Sequence, residues 1–135
     1  MPSAGTLPPP RPIRVDQVDR LRVELHADRD AAGLAAANRV GALLTDALRT
    51  EAEARVVLAS APSQAEFLAA LPRAAIEWAR VEAFHMDEYL GIAPDSPHSF
   101  SQFLRVHLFG SVEPGAFHVL DGTADPAAEA ERYTR

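Results

Sequence analysis

Cysteine and lysine are both absent from the 135 residues, and each absence removes a class of chemistry. Without cysteine there are no disulfides and no thiolate metal sites, a composition that fits a reducing compartment and leads us to expect a cytoplasmic protein. Without lysine, all thirteen basic residues are arginine, and they are scattered rather than clustered. A bound anion would therefore have to be held by backbone amides or by a few arginines. No apolar run approaches the ~20 residues of a membrane span, and no basic, apolar leader marks a secretion signal. The net charge of −6 argues against a nucleic-acid surface, which needs clustered cations to meet phosphates. What is present is an apolar fraction of 47%, enough for a real core. The length is that of one domain, or a piece of one.

Met1 to Pro12 holds five prolines with glycine, serine and threonine, and reads as a mobile tail. We place residues 1–20 outside the domain and begin it at residue 21. Leu21 to His26 alternates with period two and predicts a first strand near a sheet edge. Asp28 stands where a helix cap belongs, and the alanine-rich run to Thr50 predicts the longest helix. Its inner face is expected to carry Ala32, Ala36, Val40, Leu43, Leu44, Ala47 and Leu48. Arg55 to Ser60 is short and apolar, as expected of a strand covered on both faces. Pro62 begins a helix that stops near Pro72, and Val81 to Met86 is the next strand. Ser99 to Phe109 predicts a helix ended by Gly110, Ala116 to Leu120 a fourth strand, and Pro126 to Arg135 a helix capped by Asp125. Alternation of this kind predicts an α/β parallel sheet with helices on both faces and about four strands.

Three groups of residues bear on chemistry. The strand from Val81 breaks abruptly into Asp87, Glu88, Tyr89 and, two residues on, Gly91. Acids there lie at the carboxyl edge of a sheet, where α/β proteins bind ligands. They are read either as a solvated turn, with Asp87 capping it and Glu88 facing water, or as groups that move protons in a pocket. Spacing alone favours the turn. The connection Ser60-Ala61-Pro62-Ser63-Gln64 would leave several amides unpaired at a helix start and suit an anion such as phosphate. It contains no glycine, and a serine that simply caps the helix explains it as well. The histidines show no helical i, i+4 pair beside an acid, and His98 and His107 are nine apart, so no metal is expected.

Taken together, Phe84-His85-Met86-Asp87-Glu88-Tyr89-Leu90-Gly91, then Ser96-Pro97-His98-Ser99-Phe100 with Phe103-Leu104 and Leu108-Phe109, then Asp121-Gly122-x-x-Asp125 with Glu129 and Tyr133, resemble the glucosamine-6-phosphate deaminase family. The resemblance runs from about Leu21 to Arg135. It implies a Rossmann-like α/β fold and a phosphorylated amino sugar as the small-molecule partner. The implied reaction is an aldose–ketose isomerisation with hydrolytic loss of ammonia, without organic cofactor or metal. Asp87 matches the family's proton-transfer acid and Glu88 its neighbour in the site. Ser60, Ala61, Ser63 and Gln64 fall in the region of the family's Thr-Gly-x-Thr-Pro phosphate loop, from which they depart. The related 6-phosphogluconolactonase branch typically carries arginine after Asp-Glu, where this chain has Tyr89, and a non-catalytic sugar-phosphate-binding domain is a third reading. The resemblance leaves room for a homo-oligomer and none for a nucleic-acid or membrane partner. The family's domain is about twice this length, with an Asp-Gly-His segment and a phosphate-gripping lysine in its second half. Neither is present here, so the chain reads as an N-terminal portion, expected on its own to be inactive and marginally folded.

Overall fold

The computed structural model describes residues 10–135, so most of the proline-rich tail lies outside the described residues. Two strands, β1 (Arg14–Val18) and β2 (Leu21–Leu25), pair antiparallel through a two-residue turn. Asp19 turns the chain with φ 52°, a left-handed conformation that a short polar side chain tolerates. β1 lies within the stretch read from the sequence as tail, ahead of the boundary placed at residue 21. From Ile13 to Leu25 every residue has an amide to donate, and the valines at 15 and 18 favour extended backbone. β2 also does not open the parallel sheet, because its hydrogen bonds run to β1.

The helix α1 (Arg29–Ala47) starts where expected, with the Asp28 carboxylate accepting from the Ala31 amide at 2.7 Å. Its buried face, however, is Gly33, Ala37, Gly41 and Leu44, continued by Leu48, while Leu43 is exposed. That is one residue round from the predicted stripe. The reason is close approach: a Cβ on Gly33 would lie 2.7 Å from Glu66, and one on Gly41 would lie 2.6 Å from the Ala74 Cβ. Alanine-rich sequence offers small residues on every side, so periodicity alone could not choose the face that the glycines decide.

The main sheet is β3 (Ala54–Leu58), β4 (Val81–His85) and β5 (Ala116–His118), all parallel in the order β3-β4-β5. Between β3 and β4 lies α2 (Ala65–Ala70), flanked by single 3₁₀ turns at Pro62–Gln64 and Leu71–Arg73. After β4 comes α3 (Phe100–Leu104), which widens into a π turn at Arg105–Phe109, and after β5 comes α4 (Pro126–Tyr133). One core joins Ala54, Leu58 and Val81 of the sheet to Leu44 and Leu48 of α1, Leu68 and Leu71 around α2, and Leu104 and Leu108 around α3. Helices stand on both faces, but unequally. On the second face Tyr133 of α4 packs edge-on against Phe84, while Val57 on β3 stays exposed. The prediction that β3 is covered on both sides thus fails for Arg55 and Val57 among the described residues.

Candidate functional site

Parallel pairing fixes which loops meet. Leu58 lies opposite His85, and the Met86 amide donates to the Leu58 carbonyl at 3.0 Å. The chain after β3 and the chain after β4 therefore leave the sheet side by side at its carboxyl edge. This puts the start of the Ser60–Gln64 turn and the Asp87–Glu88 pair on the same edge of the sheet.

Within that region the side chains divide. Ala61 is extended ahead of the 3₁₀ turn, and no side chain caps either that turn or α2. The capping role considered for serine is not used. The Ser60 hydroxyl instead donates to the Phe100 carbonyl at 3.0 Å. Ser63 and Gln64 face a cleft of about 450 Å³ between α1 and α2, which Arg29, Gly33, Glu66 and Phe67 also line. Asp87 is not among the residues lining that cleft. Arg29 is a residue that sequence reasoning missed. Its guanidinium donates to both Glu66 carboxylate oxygens at 2.7 and 2.9 Å and to the Pro62 carbonyl at 3.2 Å, which ties α1 to the turn. The pairing holds the Glu66 carboxyl below its usual range. No local pattern marks it, because the partners are 37 residues apart.

The two acids exchange the roles that spacing suggested. Asp87 is exposed, and none of the hydrogen bonds among the described residues engages its carboxylate. Glu88, expected to face water, reaches back to the start of α3. One oxygen accepts from the Tyr89 amide at 3.0 Å and the Phe100 amide at 3.1 Å; the other accepts from the Ser99 hydroxyl at 2.9 Å and the Ser101 amide at 3.3 Å. Burial pushes the Glu88 carboxyl up, but the donors from Phe100, Tyr89, Ser99 and Ser101 outweigh it and leave the group below the ordinary glutamate range. Ser99 and Ser101 are buried and share a 2.7 Å hydrogen bond, so this cluster is internally satisfied.

His85, at the end of β4, is fully buried, and its Nε2 accepts from the Leu120 amide at 2.8 Å. The ring proton therefore sits on Nδ1, which has no partner. Burial holds the imidazole below its usual value, against the pull of nearby Glu88, so it is neutral. The Tyr133 hydroxyl donates to the carbonyls of His85 at 2.9 Å and His118 at 3.2 Å, closing β4 onto β5.

The Asp121–Gly122 turn braces the loop after the acids. Gly91, at φ +80°, donates its amide to the Gly122 carbonyl at 2.6 Å. A Cβ on Gly122 would run into the carbonyls of Tyr89 and Ile92. Gly122→Ala is expected to cost about 1–3 kcal/mol through overpacking, read as a lowered urea midpoint with an unchanged slope. The same turn is held from below by Glu129, buried at the start of α4, which accepts from the Asp121 amide at 2.7 Å and from Arg132 at 2.7 and 2.5 Å. Arg132, with the Asp121 amide, lowers the Glu129 carboxyl from 4.5 to about 2. A depressed acid stabilises the fold above its unfolded value and loses that contribution as pH falls through the folded one. The thermal midpoint is thus expected to fall between about pH 5 and about pH 2. The slope should be shallower in Glu129→Gln, and an unchanged slope would remove Glu129 from that role. No group of three or more potential metal ligands occurs among the described residues, and no helix is long and apolar enough to cross a membrane.

A parallel sheet with helices on both faces, whose strands β3 and β4 deliver an uncapped turn and an open acid to one edge, defines the class of Rossmann-like α/β domains that hold small ligands at strand ends. The family model for glucosamine-6-phosphate isomerases/6-phosphogluconolactonase matches residues 27–135, and the chain belongs to that family. It is 39% identical over 59 residues to a glucosamine-6-phosphate deaminase of Exiguobacterium sibiricum, covering 43% of this chain and 23% of that one. A glucosamine-6-phosphate deaminase of Arthrobacter sp. is 33% identical over 111 residues, covering 74% of this chain and 43% of its own length. Among solved structures, a monomeric glucosamine-6-phosphate deaminase superposes with a TM-score of 0.70 at 20% identity, over 78% of this chain and 45% of that protein. A putative 6-phosphogluconolactonase of Neisseria gonorrhoeae gives 0.67 at 20% identity, over 77% and 48%. At those identities the superpositions establish the fold alone. The chain spans less than half the length of each of these relatives.

Proposed function

We propose that the protein carrying these residues is a glucosamine-6-phosphate deaminase that isomerises a phosphorylated amino sugar and releases ammonia. The observation that carries the reading is Asp87, an unbonded carboxylate followed by Glu88 and Tyr89, at the end of β4 beside the turn that follows β3. A carboxylate acts as a base only through lone pairs that nothing else occupies. In the ring-opened sugar Asp87 takes the proton from the second carbon as the carbonyl π electrons shift to oxygen, the oxygen takes a proton from solvent, and Asp87 then returns its proton to the first carbon. That leaves an imine at the second carbon. Water adds there, ammonia departs, and the product is the ketose phosphate, fructose 6-phosphate.

The phosphate is assigned to the segment Ser60 to Gln64, with Ala61, Ser63 and Gln64 contributing uncapped backbone amides or side chains, and with Arg29 close by. A metabolite of this charge places the reaction in the cytoplasm. Tyr89 after the acids supports the deaminase over the lactonase branch. The test is a direct competition of chemistries: ammonia release from glucosamine 6-phosphate against hydrolysis of 6-phosphogluconolactone by the full gene product. Ammonia release with negligible lactone hydrolysis is expected; the reverse result would assign the lactonase branch, and binding without either reaction would make it a sugar-phosphate-binding domain.

A further inference from the structure

We propose that Glu88 and Ser60 are positioning residues that both act through the backbone of Phe100, and that neither one touches the reacting atoms. The inference rests on the sugar-phosphate reading of the site and divides its residues between chemistry and support.

The argument is one of occupancy. An ionised carboxylate offers about four lone-pair directions. All four around Glu88 are filled by protein donors: the Tyr89, Phe100 and Ser101 amides and the Ser99 hydroxyl. To accept a proton from substrate, Glu88 would have to release at least one of these and leave a partly buried donor unpaired, which is costly. Ser60 is constrained in the complementary sense. A hydroxyl has one hydrogen, a phosphate dianion needs donors, and the hydrogen of Ser60 is committed to the Phe100 carbonyl. The remaining hydroxyl capacity is that of an acceptor, which repels an anion.

Both commitments end on one residue. Phe100 gives its amide to Glu88 and its carbonyl to Ser60, while its ring lies 4.7 Å from that of Tyr89. The first turn of α3 thereby staples the turn after β3 to the loop after β4. The sheet register brings the two loops side by side, and this staple fixes their separation. The separation matters because a substrate gripped by phosphate at one loop must present its second carbon to Asp87 on the other. Misplacement on the order of 1 Å can cost about a hundredfold in rate. The anion contacts then fall to Ser63, Gln64 and backbone amides.

Two measurements test this, one of which needs no substrate. Carboxyl carbon NMR of the ligand-free full gene product should show Glu88 titrating below the ordinary glutamate range. Its protonation should shift the Tyr89, Phe100 and Ser101 amides together, and Ser60→Ala should shift the Ser101 amide, which shares a peptide group with the Phe100 carbonyl, in the ligand-free protein. A Glu88 that titrates at or above the ordinary value without moving those amides overturns the anchor. So does a Ser101 amide indifferent to Ser60→Ala. In the full gene product, Glu88→Gln is expected to reduce kcat/KM by about ten- to a hundredfold while the acidic limb of the pH–rate profile stays in place. Ser60→Ala should lower kcat about tenfold with KM little changed, whereas loss of a phosphate contact would raise KM instead. The double variant should fall short of the product of the single effects, since both act through Phe100. A Glu88→Gln protein that folds normally yet is as inactive as Asp87→Asn would make Glu88 a proton carrier and sink the assignment. Should the wild-type protein release no ammonia, the substrate reading falls, and the carboxyl titration still decides the anchor.

Discussion

Asp87→Asn in the full gene product is expected to lower ammonia release by about 10²–10⁴-fold while leaving the thermal midpoint within a degree or two of the wild type. Both halves of that expectation follow from the same geometry. The side chain is exposed and unengaged, so its replacement by an isosteric amide removes no packing and no hydrogen bond. The amide nitrogen carries two hydrogens and no lone pair able to take a proton, so the base is lost outright. Substrate affinity, governed by the phosphate turn, should survive. Near-normal turnover in Asp87→Asn would remove Asp87 from proton transfer, and a large drop in midpoint would show that its carboxylate holds the fold.

The second large effect concerns folding. Leu68→Ala should destabilise the chain by about 2–5 kcal/mol, measured as a fall in the urea midpoint. Leu68 has no exposed surface and lies in the single core that joins α1, the sheet and the α3 region. Its helix is short: α2 is six residues long, no side chain caps it, and it is held by packing and by the Arg29–Glu66 pair. The glycines of α1 bring that helix so close to Glu66 and Ala74 that the gap left by a truncated Leu68 cannot close without moving two helices. Against a total stability of about 5–15 kcal/mol, such a loss is a large fraction. A change below about 1 kcal/mol would mean that α2 contributes little to the cooperative core.

Much of this arrangement is legible one residue at a time. The caps Asp28 and Asp125 act as their type requires, each accepting from the amide three residues on. The apolar run Val81–His85 is a strand with three buried positions, and it ends in acids at the carboxyl edge of the sheet. The strand Arg14–Val18 was obscured by the prolines before it. Its signal, two valines and an Asp-Arg step ahead of an alternating run, is present but weak. The partition of Asp87 and Glu88 was not legible at all. Adjacent residues of the same chemistry cannot be ranked by pattern, and the partners that distinguish them, Ser99, Phe100 and Ser101, lie eleven to thirteen positions downstream.

Sequence by itself determined most of the elements and the parallel α/β alternation of β3, β4 and β5, because these depend on periodicity, on caps and on crossover length, all local properties. Tertiary structure alone decided which face of α1 is buried, that Arg29 braces the turn after β3, and that Glu88 is engaged while Asp87 is free. Those outcomes depend on which distant donors and carbonyls come within about 3 Å, and a chain acquires such neighbours only by packing.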